Sequence, residues 1–172
     1  MKPTSNQHPA YFSNYINKVE QQDLLLALRD VKQTLIKFVD QIKPEQENFA
    51  YADGKWTIKE VIVHCMDTER VFAFRAMSFA RGEKQKMLSF DENVYAANCN
   101  AQHRNLQDIV EEFATLMDST YLLFKSFSEN TLNQGGEMQS GYATVNALGF
   151  VICGHTLHHL GVLKDRYLNE FK

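Results

Sequence analysis

The sequence predicts an all-α protein, built as a four-helix bundle in a single domain that spans residues 1–172. Apolar residues recur at the three- and four-residue spacing of an α-helix in four long segments. No segment alternates between apolar and polar residues for long enough to indicate a sheet. Because 44% of the 172 residues are hydrophobic, the chain can bury one substantial core. Long amphipathic helices bury their apolar faces most simply against one another, which favours the bundle.

The first helix is predicted over about residues 19–43. Its apolar stripe consists of Leu24, Leu28, Val31, Leu35, Phe38 and Ile42. Pro44 ends it, because the residue before a proline is disfavoured in helical conformation. The first ten residues or so carry no such pattern, and we expect them to be loosely ordered.

The second helix is predicted to begin at Thr57. Thr57 and Glu60 have the spacing of a capping box, in which each side chain bonds the other residue's backbone N–H. Trp56 and Val61 occupy the positions of a hydrophobic staple on either side of this cap. Gly82 is the expected end, since glycine commonly follows the last turn of a helix.

Two further helices follow, separated by longer polar loops. The third is marked by Leu106, Val110, Phe113, Met117, Tyr121, Phe124 and Phe127. The fourth, over about residues 144–168, places on its core-facing line Leu148, Ile152, His155, His159 and Leu163. Residues 83–104 and 130–143 are expected to be loops that cover a site at one end of the bundle.

Histidines on the second and fourth helices are the candidate metal ligands. His155 and His159 are four residues apart and so project from one helix face. His64 lies on the second helix, and two helices packed side by side could present three nitrogens to one cation. Burying imidazoles on an apolar stripe is costly unless each finds a partner. The alternative is that these are hydrogen-bonded core histidines without a metal.

His158 is the alternative to His159 as a ligand, but it lies about 100° round the helix. Its stripe also carries Gly154 and Gly161, each of which costs helix stability by about 1 kcal/mol relative to alanine. We therefore expect these glycines to allow the close approach of another helix, from the same chain or from a partner subunit.

Glu60 and Asp67 are the candidate catalytic carboxylates near His64. Either could orient an imidazole, and Glu60 could also act as a general base. The competing interpretations are the capping box for Glu60 and an ordinary solvated position for Asp67. Other metal architectures do not fit, because a carboxylate-bridged di-iron bundle needs Glu-x-x-His and a zincin needs glutamate directly after His155.

Charge and cysteine content narrow the function classes. The formal net charge of -3 comes from interspersed acids and bases, so no basic stripe is available to bind nucleic acid. Cys65, Cys99 and Cys153 form neither an even framework nor a CxxC pair, which favours reduced thiols in the cytoplasm. The chain shows no apolar signal-peptide core and no apolar run of ~18 residues, so we expect a soluble protein without membrane contact.

Three segments resemble the DinB/YfiT superfamily of four-helix-bundle metalloproteins: the stretch from Lys55 to Arg70, the stretch Phe90-Asp-Glu-Asn, and the stretch Gly154-His-Thr-Leu-His-His. The resemblance covers most of the chain. It implies one divalent metal ion, commonly zinc or nickel, held by His64, His155 and His159 with water at the remaining positions. It also implies a thiol-dependent S-transferase or isomerase that uses a low-molecular-weight thiol such as bacillithiol or mycothiol, or a hydrolase.

The expected function is therefore metal-dependent activation of a low-molecular-weight thiol for transfer to a small electrophile. Three neutral imidazoles leave the charge of the metal ion uncompensated. Water bound to the ion therefore has its pKa lowered to about 7, and a bound thiol loses its proton. The alternatives are a hydrolase with activated water and a non-catalytic, stress-related metal-binding or interaction module. Phe90, Asp91 and Glu92 are expected to border the pocket. The resemblance and the glycine-marked face suggest a homodimer.

Overall fold

The computed structural model describes residues 1–168 and has four long helices packed as a bundle. These helices are α2 (Leu24–Val39), α3 (Ile58–Ala80), α5 (Leu106–Lys125) and α7 (Val145–Val162). The shorter elements are α1 (Ser13–Ile16), α4 (Glu92–Asn98), α6 (Glu129–Asn133), β1 (Gly135–Met138) and β2 (Gly141–Thr144). Helix α7 packs against α3, α2 and α1, and α5 packs against α2 and α3. The predicted all-α four-helix bundle is confirmed.

None of the described helices is long and apolar enough to cross a membrane.

Helix α2 is shorter at both ends than the predicted helix over residues 19–43. It begins after Asp23, whose side chain accepts a hydrogen bond from the backbone N–H of Leu26 at 2.9 Å. It ends at Val39, and the next residues form tighter i−3 hydrogen bonds before Lys43 becomes extended. Pro44 then begins a separate 3₁₀ turn, Pro44–Gln46. The helix therefore unwinds a turn ahead of the proline, because the residue before a proline is pushed into extended conformation.

Helix α3 begins at the predicted capping box. The backbone N–H of Thr57 donates to Glu60 Oε2 at 2.7 Å, and the backbone N–H of Glu60 donates to Thr57 Oγ1 at 3.2 Å. The helix ends at Ala80, and Gly82 adopts a left-handed φ of 86° two residues later. The predicted start is confirmed, and the predicted stop at Gly82 is close to the observed end.

The middle of helix α7 is buried on all sides. Residues 147–156 are all buried, because α1, α2 and α3 surround this part of the helix. The sequence predicted that one line of residues on this helix faces the core. The structure instead buries every side of residues 147–156, because the helix forms the centre of the fold. After α7 the chain continues as a single π-helical stretch, Leu163–Tyr167.

The N-terminal segment is packed, contrary to the expectation that the first ten residues are loose. Pro3 and His8 are buried, and the Met1 carbonyl accepts a hydrogen bond from Asn146 Nδ2 at 2.9 Å. Short 3₁₀ turns, Ser5–Gln7 and Ala10–Phe12, form this segment. Such turns bury single residues without a periodic pattern, which is why the sequence pattern did not reveal them.

Helix α1 crosses α7 at Gly154. A Cβ atom on Gly154 would lie 2.1 Å from the backbone oxygen of Tyr15. The close approach predicted for Gly154 therefore occurs within the chain. Gly161 differs, because nothing among the described residues lies within 4 Å of an added Cβ atom there.

The two predicted loops contain regular structure. Residues 83–104 include α4 and a 3₁₀ turn, Ala101–His103, and residues 130–143 include most of α6 and a β-hairpin. The hairpin pairs Gly135 with Thr144 and Met138 with Gly141, and its strands are too short to show an alternating pattern. The backbone of Met87 bonds both Glu137 and Gln139 at 2.9 Å. The hairpin thus holds the loop that follows α3.

One buried carboxyl group lies between α3 and α5. Glu69 is only 1% exposed, and the hydroxyl group of Thr120 donates a hydrogen bond to its Oε1. Its Oε2 has no hydrogen-bond partner among the described residues. Burial raises the pKa of Glu69 from its ordinary value of 4.5 to about 7. The neutral form of this side chain is therefore favoured in the folded state.

Gly154→Ala should destabilise the fold, with Gly161→Ala as the matched control. The added methyl group at Gly154 meets the Tyr15 backbone, so we expect the free energy of unfolding to fall by about 2 kcal/mol or more. Gly161→Ala meets no neighbour and should raise that free energy by roughly 0.5–1 kcal/mol. Urea denaturation measures both. Equal midpoints for wild type and Gly154→Ala would contradict the crossing of α1 over α7.

Glu69→Gln should remove a pH-dependent loss of stability. Between pH 4.5 and about 7 the unfolded chain releases the Glu69 proton while the folded chain retains it, so the free energy of unfolding falls as pH rises. The pKa difference corresponds to roughly 3 kcal/mol. Urea denaturation at several pH values should show this fall in wild type relative to Glu69→Gln. The exposed Glu111→Gln is the control, and a constant difference between wild type and Glu69→Gln would contradict the prediction.

Candidate metal centre

Three histidine side chains converge between α3 and α7. The Nε2 atoms of His64 and His155 are 3.1 Å apart, and those of His159 and His155 are 3.2 Å apart. All three ligand atoms lie within 4.8 Å of one another. The three residues that the sequence predicts as ligands are therefore the ones that the structure brings together.

Hydrogen bonds between the three rings cannot satisfy all three Nε2 atoms. The Nε2 atom of a neutral imidazole carries either one proton or one lone pair. Nε2 of His155 faces two other Nε2 atoms, and one proton cannot form two full hydrogen bonds. A divalent cation would accept all three lone pairs at once. Two nitrogens bound to a tetrahedral zinc ion lie roughly 3.3 Å apart, close to the two spacings observed here.

Burial keeps these imidazoles neutral at pH 7. It lowers the pKa of His64 to about 4 and that of His159 to about 3. The pKa of His155 is also well below its ordinary value, first because of burial and then because of the neighbouring histidines. Neutral imidazole is the form that binds a metal ion, so the site requires no proton release before binding.

Two aromatic residues outside the predicted site flank the histidine rings. The Trp56 ring centroid lies 4.7 Å from that of His64, and the Tyr15 centroid lies 5.4 Å from that of His155. The backbone carbonyl of Trp56 accepts a hydrogen bond from the Tyr167 hydroxyl at 2.7 Å, which ties the chain end to the start of α3. The staple position of Trp56 showed that it was apolar and near the helix start, but gave no indication of its contact with His64.

The histidines open into a cavity of about 380 Å³, which we call the histidine cavity. Its walls combine aromatic side chains with a few polar groups, as in small-molecule sites. The aromatic wall residues are Tyr11, Phe12, Tyr15, Trp56, Phe72 and Phe90, and the polar ones include Thr68, Arg75, Ser89, Glu92 and His158.

A second cavity of about 720 Å³, the adjoining groove, lies beside the first. Arg75, Ser89 and Phe90 line both spaces. These three residues therefore mark the boundary between the histidine cavity and the adjoining groove.

The structure directs both candidate carboxylates away from the histidines. The Glu60 carboxylate is held in the capping box, and Glu60 does not line the histidine cavity. Asp67 Oδ1 lies 3.6 Å from Arg70 Nη1, and Asp67 lines the adjoining groove. One turn of helix separates each of them from His64, but no hydrogen bond or ion pair joins either side chain to one of the three imidazoles.

Of the loop residues 90–92, two line the histidine cavity and one caps helix α4. Phe90 and Glu92 line the histidine cavity. Asp91 instead caps α4, since its Oδ1 accepts hydrogen bonds from the backbone N–H groups of Asn93 and Val94 at 2.9 and 3.1 Å. Glu92 is exposed and contributes a negative charge on the side of His64.

His158 and the two buried cysteines of the long helices lie outside the converging group. His158 lines the histidine cavity, but its ring packs on Tyr15 at 5.6 Å and its nitrogens are not among the grouped ligand atoms. Cys65 and Cys153 are buried, and burial raises the pKa of both thiols. Neither sulfur atom is among the grouped ligand atoms.

Comparisons with known proteins agree with this fold. A family model described as the DinB superfamily matches residues 27–163, which include all three histidines. YfiT from Bacillus subtilis, described as a probable metal-dependent hydrolase with an unusual four-helix bundle topology, has a similar structure with a TM-score of 0.77. The match covers 99% of this chain and 94% of that chain at 16% sequence identity, which supports a shared fold. No curated protein matches the chain in sequence.

Replacement of a converging histidine should abolish metal binding. We expect about one equivalent of zinc or nickel in the wild type after reconstitution, and little in His64→Ala or His155→Ala, because two imidazoles bind far more weakly than three. His158→Ala is the matched control and should retain the metal, because its nitrogens are outside the group. Elemental analysis, with circular dichroism to verify folding, provides the measurement. Full metal content in folded His155→Ala would refute the ligand set.

Proposed function

The chain belongs to the DinB superfamily, and we propose from its site that it is a metal-dependent enzyme acting on small molecules. The observation that carries this proposal is the convergence of three neutral Nε2 atoms in the wall of an aromatic-lined cavity. A buried group of imidazoles without a cation would leave lone pairs facing one another. The same group beside an accessible cavity is suited to catalysis.

His64, His155 and His159 would hold one divalent ion, for which imidazole favours zinc, nickel, copper or iron. We propose zinc or nickel. When bound, such an ion supplies Lewis acidity and lowers the pKa of a coordinated thiol or water. The burial of the three rings helps, because it keeps them unprotonated at neutral pH.

We propose further that the reaction is transfer of a low-molecular-weight thiol to a small electrophile. Such a reaction needs room for two organic reactants, whereas hydrolysis needs room for one and a water molecule. The histidine cavity and the adjoining groove, of about 380 and 720 Å³, each have a size typical of small-molecule sites. Sulfur forms a bond to the electrophilic carbon, the leaving group departs with its electron pair, and the thiol proton passes to solvent.

Aromatic residues of the chain would orient the reactants and exclude water. Phe12 and Phe72 are nearly fully buried and their ring centroids lie 5.7 Å apart in the cavity wall. Burial raises the pKa of Tyr15, so its hydroxyl keeps its proton at neutral pH. Tyr15 can then donate a hydrogen bond to negative charge that develops on the electrophile or on the leaving group.

Hydrolysis is the second candidate. The exposed carboxylate of Glu92 lines the histidine cavity and could accept a proton from water. YfiT, with the similar fold, is described as a probable metal-dependent hydrolase. Glu92 thus replaces Glu60 and Asp67 as the carboxylate best placed to act in the cavity.

Assembly and location are further proposals. We propose a homodimer with its contact at Gly161 of α7, where a Cβ atom added to the glycine would have no heavy atom of another described element within 4 Å. We also propose a cytoplasmic location, which the free state of Cys65, Cys99 and Cys153 supports.

Thiol-dependent loss of 1-chloro-2,4-dinitrobenzene should separate the candidates. With cysteine as the thiol and zinc or nickel loaded, we expect formation of the thioether faster than the uncatalysed rate. His155→Ala should lower the enzymatic rate by on the order of 100-fold or more, since loss of a direct ligand costs at least as much as loss of an outer hydrogen bond. Absorbance of the thioether measures the rate.

The control reaction is release of nitrophenol from 4-nitrophenyl acetate without thiol. Turnover of the ester alone would favour hydrolysis over thiol transfer. A metal-loaded protein that turns over neither substrate would favour the non-catalytic module instead.

A further inference from the structure

Arg75 is a buried cation at the boundary between the histidine cavity and the adjoining groove. It is 7% exposed and lines both spaces. Its Nη2 donates to the carbonyl oxygen of Leu88 at 2.5 Å, and its Cζ lies 5.0 Å from the ring centroid of Phe72. A guanidinium group has five N–H donors, so these contacts leave several donors available.

No carboxylate among residues 1–168 forms an ion pair with Arg75. This differs from Arg70 on the same helix, which is paired with Asp67 and Glu112 and is 41% exposed. Burial lowers the pKa of Arg75, but a guanidinium remains charged at neutral pH. A buried charge without a counterion is costly, and an anion from outside the chain would remove that cost.

None of the acidic residues that line the two spaces acts as the counterion of Arg75. Glu92 is exposed, so solvent screens its charge. In the adjoining groove, Asp67 contacts Arg70, and the Oε1 atom of Glu83 accepts backbone hydrogen bonds from residues 84 and 85. The positive charge of Arg75 therefore faces space that a ligand can enter.

We propose that Arg75 binds a carboxylate group of one of the two reactants, so that the substrate class includes an anionic small molecule. A guanidinium presents parallel N–H donors at the spacing of carboxylate oxygens. Because Arg75 borders both spaces, the carboxylate belongs either to the electrophile or to the thiol. This inference rests on the proposed function, since it names the substrate class of the same site.

Calorimetric binding of matched probes tests the proposal without requiring turnover. Benzoate and its neutral analogue benzamide represent the electrophile, and 3-mercaptopropionate and 2-mercaptoethanol represent the thiol. Each probe is titrated into metal-loaded wild type and into metal-free His155→Ala, in which the metal cannot hold the carboxylate. In both proteins we expect about tenfold tighter binding of the charged member of at least one pair. The pair with the larger preference identifies which reactant carries the carboxylate.

Arg75→Gln should reduce that preference to less than about twofold, while binding of the neutral probe stays unchanged. A merely structural role, through the Leu88 carbonyl, would weaken binding of both members of a pair. Arg70→Gln is the matched control on the same helix and should retain the preference. Equal binding of charged and neutral probes in the wild type would overturn the proposal, as would a preference that survives Arg75→Gln or disappears in His155→Ala.

A measurement on unmodified Arg75 covers the case in which Arg75→Gln does not fold. The nitrogen NMR resonances of the Arg75 side chain, assigned by comparison with Arg75→Lys, should shift on addition of the preferred charged probe and not with its neutral analogue. Unchanged Arg75 resonances at saturating probe would overturn the proposal. Because neither experiment measures catalysis, either proposal can fail while the other stands.

Discussion

The contact between α3 and α7 is the constraint on which the rest of the structure depends. It brings together two buried imidazoles and the partly buried imidazole of His159, and each needs a partner that the other two cannot fully provide. Helix α7 is consequently surrounded by other parts of the chain and forms the centre of the fold rather than one of four equivalent helices. The fold and the site are thus products of a single packing arrangement.

Local interactions set the positions of His64 and His155 on their helices. The capping box of Thr57 and Glu60 fixes the start of α3 less than two turns before His64. Thr144 caps α7 by accepting a hydrogen bond from the Ala147 backbone N–H at 3.2 Å, three turns before His155. Because both helix starts are fixed, the direction of the two histidines follows from helical geometry and from the depth at which the helices pack.

Features with a local or periodic cause could be predicted from the sequence. The four helices, the capping box and the pair of His155 and His159 on one helix face follow from spacing along the chain. The contacts of Trp56, Tyr15 and Arg75 could not be predicted, because each depends on packing between segments that are remote in sequence. Glu60 differs, because its capping bond to the Thr57 backbone N–H is local and was the alternative that the sequence already offered. Short elements, such as the hairpin and the N-terminal 3₁₀ turns, are below the length at which a period is visible.

The crossing of α1 over α7 joins two segments that are remote in sequence. During synthesis, Tyr15 leaves the ribosome long before Gly154, against which it packs. Until α7 emerges, the nascent chain has neither the centre of its core nor two of the three converging histidines. A chain that stops early therefore exposes the apolar faces of α2, α3 and α5, which makes premature products targets for chaperones and proteases.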